Sequence, residues 1–266
     1  MLEVATNLAR SFSPQRPILF VAFTGEESGL LGSQYFVKNP PGSYLTEDMY
    51  AMVNLDSVGR LQNRPLQLFG AESAYEWPFM AQGIGFTVGL RSELSAANIA
   101  SSDHVSFLNA GIPAIHLFGG AHTDYHRVSD TPDKLDVEGM SEVALWLEEA
   151  IVYLADNAAP LRVTLANAPT VAPTSVPGQR EASLGTVPDF AYEGPGVRVS
   201  DIMPGSAASE AGLQAGDILL NFNNQPVTDL QTYSNLLRQS SPGDTVPIEL
   251  QRDLNRIEIH ATLKAR

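Results

Sequence analysis

The sequence predicts an open, mostly parallel α/β sheet with flanking helices, followed by a small β-rich domain. Three observations carry this. Short apolar runs alternate with helix-period patterns from Pro17 to about Asp156. A Pro-punctuated, almost uncharged stretch follows. Beyond it come short strand-like segments divided by turn residues, with two small helical patterns. The expected boundaries are therefore 1–156, 157–180 and 181–266. The length of 266 residues allows one or two domains, about 150 residues being typical of one.

Taken in order, Leu2, Val4, Ala5, Leu8, Ala9 and Phe12 recur at helical spacing, with Glu3, Asn7 and Arg10 on the opposite side. Pro17 to Phe23 reads as a buried strand, with a helix from Leu30 to Val37 behind it. Tyr50 to Leu55, Leu66 to Phe69 and Phe86 to Leu90 read as further strands. Ser73 to Gly83 and Asp103 to Ala110 read as helices. Ile112 to Phe118 is another strand, and Val137 to Ala155 a long helix. Pro160, Pro169, Pro173 and Pro177 then set a semi-extended linker of Ala, Thr and Val. In the last part, helices are expected at Ser206 to Ala211 and Asp229 to Gln239.

Composition narrows the function. Sixteen Lys and Arg face 30 Asp and Glu, a net charge of −14, and that field repels a nucleic-acid backbone. The longest apolar run, Ile18 to Phe23, falls far short of the ~20 residues of a membrane-spanning helix. With no cysteine, thiol catalysis, disulfides and sulfur-rich metal sites are excluded. The N-terminus lacks the segments of a signal peptide and begins inside an amphipathic helix, so the chain is expected to be cut at its start.

Three segments could do chemistry. Thr24-Gly-Glu-Glu-Ser-Gly29 follows the first apolar run, at the strand end where open α/β sheets gather ligands. Two adjacent carboxylates on a loop diverge, so one can bind a metal while its neighbour serves as a general base. The alternative is a helix start with acidic residues placed for the macrodipole. Asp56 ends the second strand, where a turn-forming role is the alternative. His122-Thr-Asp-Tyr-His126 follows the strand ending at Phe118, with Asp130 nearby. Oxygen and nitrogen ligands without sulfur suit a catalytic zinc site. His116 reads as core, and His260 as inert.

The runs TGEESGLLGS, NLDSVGR, SSDHVSFLNAGIPAIHLF and HTDYHRVSDTPDKLD together resemble the di-zinc aminopeptidase family (peptidase family M28), which includes bacterial leucyl aminopeptidases. The resemblance implies a zinc-exopeptidase-like α/β sheet that removes N-terminal residues from peptide substrates. Glu26 is implied as general base, and Glu27, Asp56 and His126 as zinc ligands. Ser102, Asp103 and His104 match a helix-start motif near the pocket, with Tyr125 and Asp130 as further pocket candidates. Family members hold two zinc ions using an upstream histidine and a bridging aspartate that this chain lacks. One zinc or none is therefore expected here, in an incomplete sheet with an exposed apolar edge beside Ile18 to Phe23. A secreted or periplasmic location is implied in the same way.

Ser183-Leu-Gly-Thr-Val187, Gly196 to Ile202, Pro204 to Ala208 and Ala211 to Leu219 resemble a bacterial PDZ domain. The resemblance implies Leu184, Gly185 and Thr186 as a carboxylate-binding loop. Peptide or protein C-termini would be its partners, added as a strand beside the helix from Asp229. The alternatives to a zinc aminopeptidase with a PDZ module are two. One is a catalytically inactive fragment or pseudoenzyme that acts through the PDZ domain. The other is glutaminyl-cyclase-like or carboxypeptidase-like chemistry on the same scaffold.

Overall fold

Apolar alternation in the first half builds a mixed sheet between helices, in a computed structural model that describes residues 1–95, 102–157, 159–165, 180–190, 192 and 194–265. The chain divides into two units, Met1–Gly120 with Pro132–Ser175, and Ala121–Thr131 with Val176–Arg266.

The first unit contains helices α1 (Leu2–Ser11), α2 (Leu31–Lys38), α3 (Trp77–Val88), α4 (His104–Asn109) and α5 (Val137–Asp156). Its strands are β1 (Met52–Asp56), β2 (Leu66–Phe69), β3 (Ser92–Ser95) and β4 (Ala114–Phe118), in the order β1-β4-β2-β3. The β1–β4 and β2–β3 pairs are parallel, and β2–β4 is antiparallel. Every residue of β4 is buried, as expected of a strand covered on both faces. Ile115 and Leu117 join Trp77 of α3 and Trp146 of α5 in the main core, while Ala114 packs with Val37 of α2 and Phe107 of α4. Val4 and Leu8 of α1 lie against Leu147, so the amphipathic pattern at the start of the chain is used as read.

Two expected strands do not form. Ile18 to Phe23 has no assigned strand, and its backbone makes no backbone hydrogen bond among the described residues. Phe23 makes ring contacts with Phe36 and Phe107, while Leu19 and Phe20 stay exposed. Composition alone cannot make a strand, because its hydrogen bonds come from a neighbour. Phe86 to Val88 instead completes α3. Trp77, Met80, Ala81 and Ile84 keep helical spacing on the buried face, and Gly89 (φ +83°) ends the helix by donating its N–H to Gly85 O. The fourth strand falls later, at Ser92–Ser95.

Part of the expected linker is structured. Leu161 enters the main core, and Val163 bridges to Ala74. Residues 166–179 lie outside the described set.

Asp136 caps α5. Its carboxylate accepts the Gly139 N–H at 3.0 Å and the Gln62 N–H at 2.6 Å, and these two donors hold its pKa below the usual carboxylate value. Asp136→Ala is expected to destabilise the unit by about 1–2 kcal/mol at pH 7. A depressed folded pKa means that this stability is present above the unfolded value, near 3.9, and is lost as pH falls through the folded one. Urea unfolding at pH 7 and pH 3 checks both points. An equal loss at the two pH values would contradict the charged cap.

In the second unit, the main sheet runs β11 (Asn255–Thr262), β10 (Thr245–Arg252), β8 (Ile218–Phe222), β7 (Val197–Ile202), β6 (Thr186–Pro188), with β9 (Gln225–Pro226) on β8. A short pair joins β5 (Ala182–Ser183) to β12 (Lys264–Ala265), and the helices are α6 (Ala207–Glu210) and α7 (Leu230–Arg238). Leu184, Val199, Leu219, Phe222, Leu237 and Ile248 form its own core. Asp217, fully buried, accepts two hydrogen bonds from Arg252 at 2.8 Å each. Among the described residues no helix is long and apolar enough to cross a membrane.

Candidate active site

The acidic loop owes its shape to glycine and to a tight set of backbone bonds. Gly25 (φ +68°) accepts the Ser28 and Leu31 N–H groups, and Gly32 donates to Thr24 O at 2.9 Å. A Cβ at Gly32 would lie 2.5 Å from that same carbonyl oxygen, so the start of α2 can close onto the loop only with glycine there. This fold-back half-buries Glu26 and leaves Glu27 exposed on the turn.

Burial is the main reason that the Glu26 carboxyl is pushed up to about 7; the negative charges of Glu27, Asp56 and Asp103 add to it. Three of the expected site residues therefore act on the fourth. Asp103, at the N-terminus of α4, is itself raised by burial, offset by a hydrogen bond with Ser33 and reinforced by Asp56. Its Oδ1 has no hydrogen-bond partner among the described residues. Ser33 in turn shares a 2.8 Å hydrogen bond with Ser106, tying α2 to α4.

Asp56 sits at the end of β1, opposite Phe118 of β4. One of its oxygens accepts from Ser57 at 3.1 Å and the other from Ser102 at 3.4 Å. Behind Ser102, the amide nitrogen of Asn54 lies 2.7 Å from the serine oxygen and 3.0 Å from His116 Nδ1. Donating to both, Asn54 requires the His116 proton on Nε2. The chain of donors thus runs outward through Ser102 to the Asp56 carboxylate and orients it. Burial drives His116 down to about 3, so it stays neutral, and its ring stacks on His104 at 4.9 Å. His104 is likewise held well below its ordinary value, by burial and by His116. His116 is core, as read from the sequence, and His104 is a packed ring with Nδ1 unpartnered among the described residues. His260 is exposed on β11.

Asn54, Ser33 and His116 were not picked out as site residues. The available signal was the Asn54-Leu-Asp56 spacing, which puts two polar side chains on one face of a strand.

Residues 121–131, which include His126, fall in the second unit. Tyr125 stacks on His126 at 4.0 Å and meets Phe190 edge-on, and Arg127 reaches the Met203 sulfur. His122 and Asp130 approach to 3.9 Å. These aromatic and polar contacts fix the loop within its own unit, with His126 at φ +59°.

Among the described residues no three His, Asp or Glu side chains are grouped so as to hold a metal ion. The carboxylates of the acidic cluster are suited to accepting a proton and to holding a cationic group.

In the second unit, Leu184 and Gly185 form a loop ahead of β6. Their carbonyls accept the Ala208 and Met203 N–H groups at 2.7 and 2.9 Å, whereas their own N–H groups have no backbone partner among the described residues. Gly185 (φ +84°) is required, because a Cβ there would come within 2.1 Å of Ser206 Cβ.

Comparison with known proteins follows the same division. A sequence profile described as peptidase family M28 matches residues 1–151, and a PDZ domain profile matches residues 198–252. The aminopeptidase YwaD of Bacillus subtilis is 32% identical over 164 residues, 57% of this chain and 34% of that protein. The periplasmic pH-dependent serine endoprotease DegQ of Escherichia coli is 32% identical over 68 residues, 26% of this chain and 15% of that protein. The solved structure of BSAP, a zinc aminopeptidase from Bacillus subtilis, is similar with a TM-score of 0.51 at 27% identity, covering 59% of this chain and 40% of that one. The chain spans about a third or less of the length of the curated relatives it matches.

Proposed function

Because this chain belongs to peptidase family M28 and carries a PDZ domain after the peptidase part, we propose that the full-length protein is an aminopeptidase whose PDZ module holds peptide C-termini. The observation that carries this reading is Glu26, a half-buried carboxyl pushed up to about 7 among three other carboxylates. A base tuned near the working pH can take a proton from the attacking water and return it to the leaving amine. Glu27, Asp56 and Asp103 supply the negative field, and the donor chain through Ser102 and Asn54 keeps Asp56 oriented. That field favours a substrate whose free α-ammonium lies close to the scissile bond. No step is assigned to zinc, since the described residues do not form a site for it. A secreted or periplasmic location belongs to the same reading, and the periplasmic relative supports it.

The test is hydrolysis of aminoacyl reporters by the full-length protein, with and without N-acetylation. Acetylation is expected to abolish turnover. Equal rates would remove the α-ammonium from the argument, and ring closure of N-terminal glutamine peptides without hydrolysis would move the assignment to cyclase chemistry.

A further inference from the structure

The second unit contains a hydroxyl pair between β6 and α7 whose direction can be worked out. Thr186 opens β6, the edge strand of its sheet, and Tyr233 lies on α7. Their oxygens are 2.8 Å apart, so a side-chain hydrogen bond joins strand to helix. Tyr233 is 5% exposed, and burial raises its hydroxyl to about 12, which keeps it protonated. Among the described residues no other hydrogen-bond partner is recorded for that hydroxyl. A buried O–H left without an acceptor is costly, so Tyr233 donates and Thr186 Oγ accepts. The Thr186 hydrogen is then left over, on a residue only half-buried and facing α7.

The position of this spare donor gives it a meaning. It follows directly after Leu184 and Gly185, whose N–H groups lack backbone partners among the described residues. A peptide added to β6 with its carboxylate on those two N–H groups sends its last side chain between β6 and α7. There it meets the hydroxyl pair. We propose that Thr186, held by Tyr233, makes the groove selective for peptides whose C-terminal side chain is small and accepts a hydrogen bond, as in threonine or serine, over aliphatic residues. This rests on the reading of Leu184 to Thr186 as a C-terminal carboxylate site. An aliphatic terminal side chain buries the Thr186 hydrogen unsatisfied, whereas a hydroxyl of the same shape accepts it.

Threonine and valine are near-isosteres, and they make the sharpest comparison. Fluorescent randomised octapeptides ending in Thr or Val, each as free acid and as amide, are titrated against the 266-residue chain. Wild type is expected to bind the free acids more tightly than the amides, and Thr-ended acids roughly 5–10-fold more tightly than Val-ended ones. Thr186→Ser keeps the preference, and Thr186→Val reverses it while retaining the acid-over-amide difference. Thr186→Ala, which abolishes the preference, serves where the valine variant does not fold. Equal binding of acids and amides by wild type overturns the carboxylate reading and the inference with it. An acid-over-amide difference combined with a valine preference in wild type, or with an unchanged Thr preference in Thr186→Val, overturns the inference alone.

Discussion

After loading with zinc and dialysis, the 266-residue chain is expected to hold well under one zinc ion per molecule. A tight site needs at least three protein donors in one place. Among the described residues no three such side chains are grouped. Single carboxylates on a turn bind a divalent ion weakly, and they compete with the proton that the mutual repulsion around Glu26 already favours. Turnover of aminoacyl reporters by this chain is expected to be negligible in the same preparation. Metal analysis beside the reporter assay checks both. One or two tightly held ions with full turnover would show that the three ligand candidates assemble in solution, and would end the reading of this chain as a binding protein without catalysis.

Glu26→Gln carries the second large effect. In the full-length protein it should lower turnover by about 10²–10⁴-fold, because the amide keeps the shape and hydrogen-bonding size of the side chain but cannot accept the water proton. Stability moves the opposite way. The Glu26 carboxyl is pushed up to about 7 from its ordinary value of 4.5, so the protonated form is favoured by folding. The favourable contribution is fully present below the unfolded value and is lost as pH rises through the folded one. The glutamine variant escapes that loss. Its thermal midpoint should match wild type near pH 4 and exceed it progressively from there to about pH 7, with a constant gap above. A variant that loses activity and is also less stable at pH 8 would mean that Glu26 is held by favourable contacts rather than by repulsion.

Both expectations depend on features that the sequence makes visible to different degrees. Helices with their own periodicity were legible: α1 from its apolar stripe, and α5 from its long helical pattern. The Gly89 terminator of α3 was equally present in the sequence, yet Phe86 to Leu90 reads as a strand because a short apolar run has no unique period. The adjacent glutamates were singled out from a turn pattern, and Gly32 explains why that turn closes as it does. The second unit was legible as a PDZ domain from its glycine positions and short strands, and its own profile matches there.

What the sequence determined by itself was the set of local structures, the change of texture between the two halves, and the chemical character of the loops. These follow from intrinsic preferences and nearest neighbours along the chain. Tertiary structure alone decided the rest. Ile18 to Phe23 has strand composition but, among the described residues, no neighbour that supplies its backbone hydrogen bonds. Tyr125 stacks on His126 and meets Phe190, and Arg127 reaches Met203, contacts that join segments more than 60 residues apart. Asn54 reaches Ser102 and His116 across 48 and 62 residues of chain. Such contacts are set by how strands and loops meet in space, and the physical reason they escape the sequence is that each bond belongs to two distant segments while a pattern describes only one.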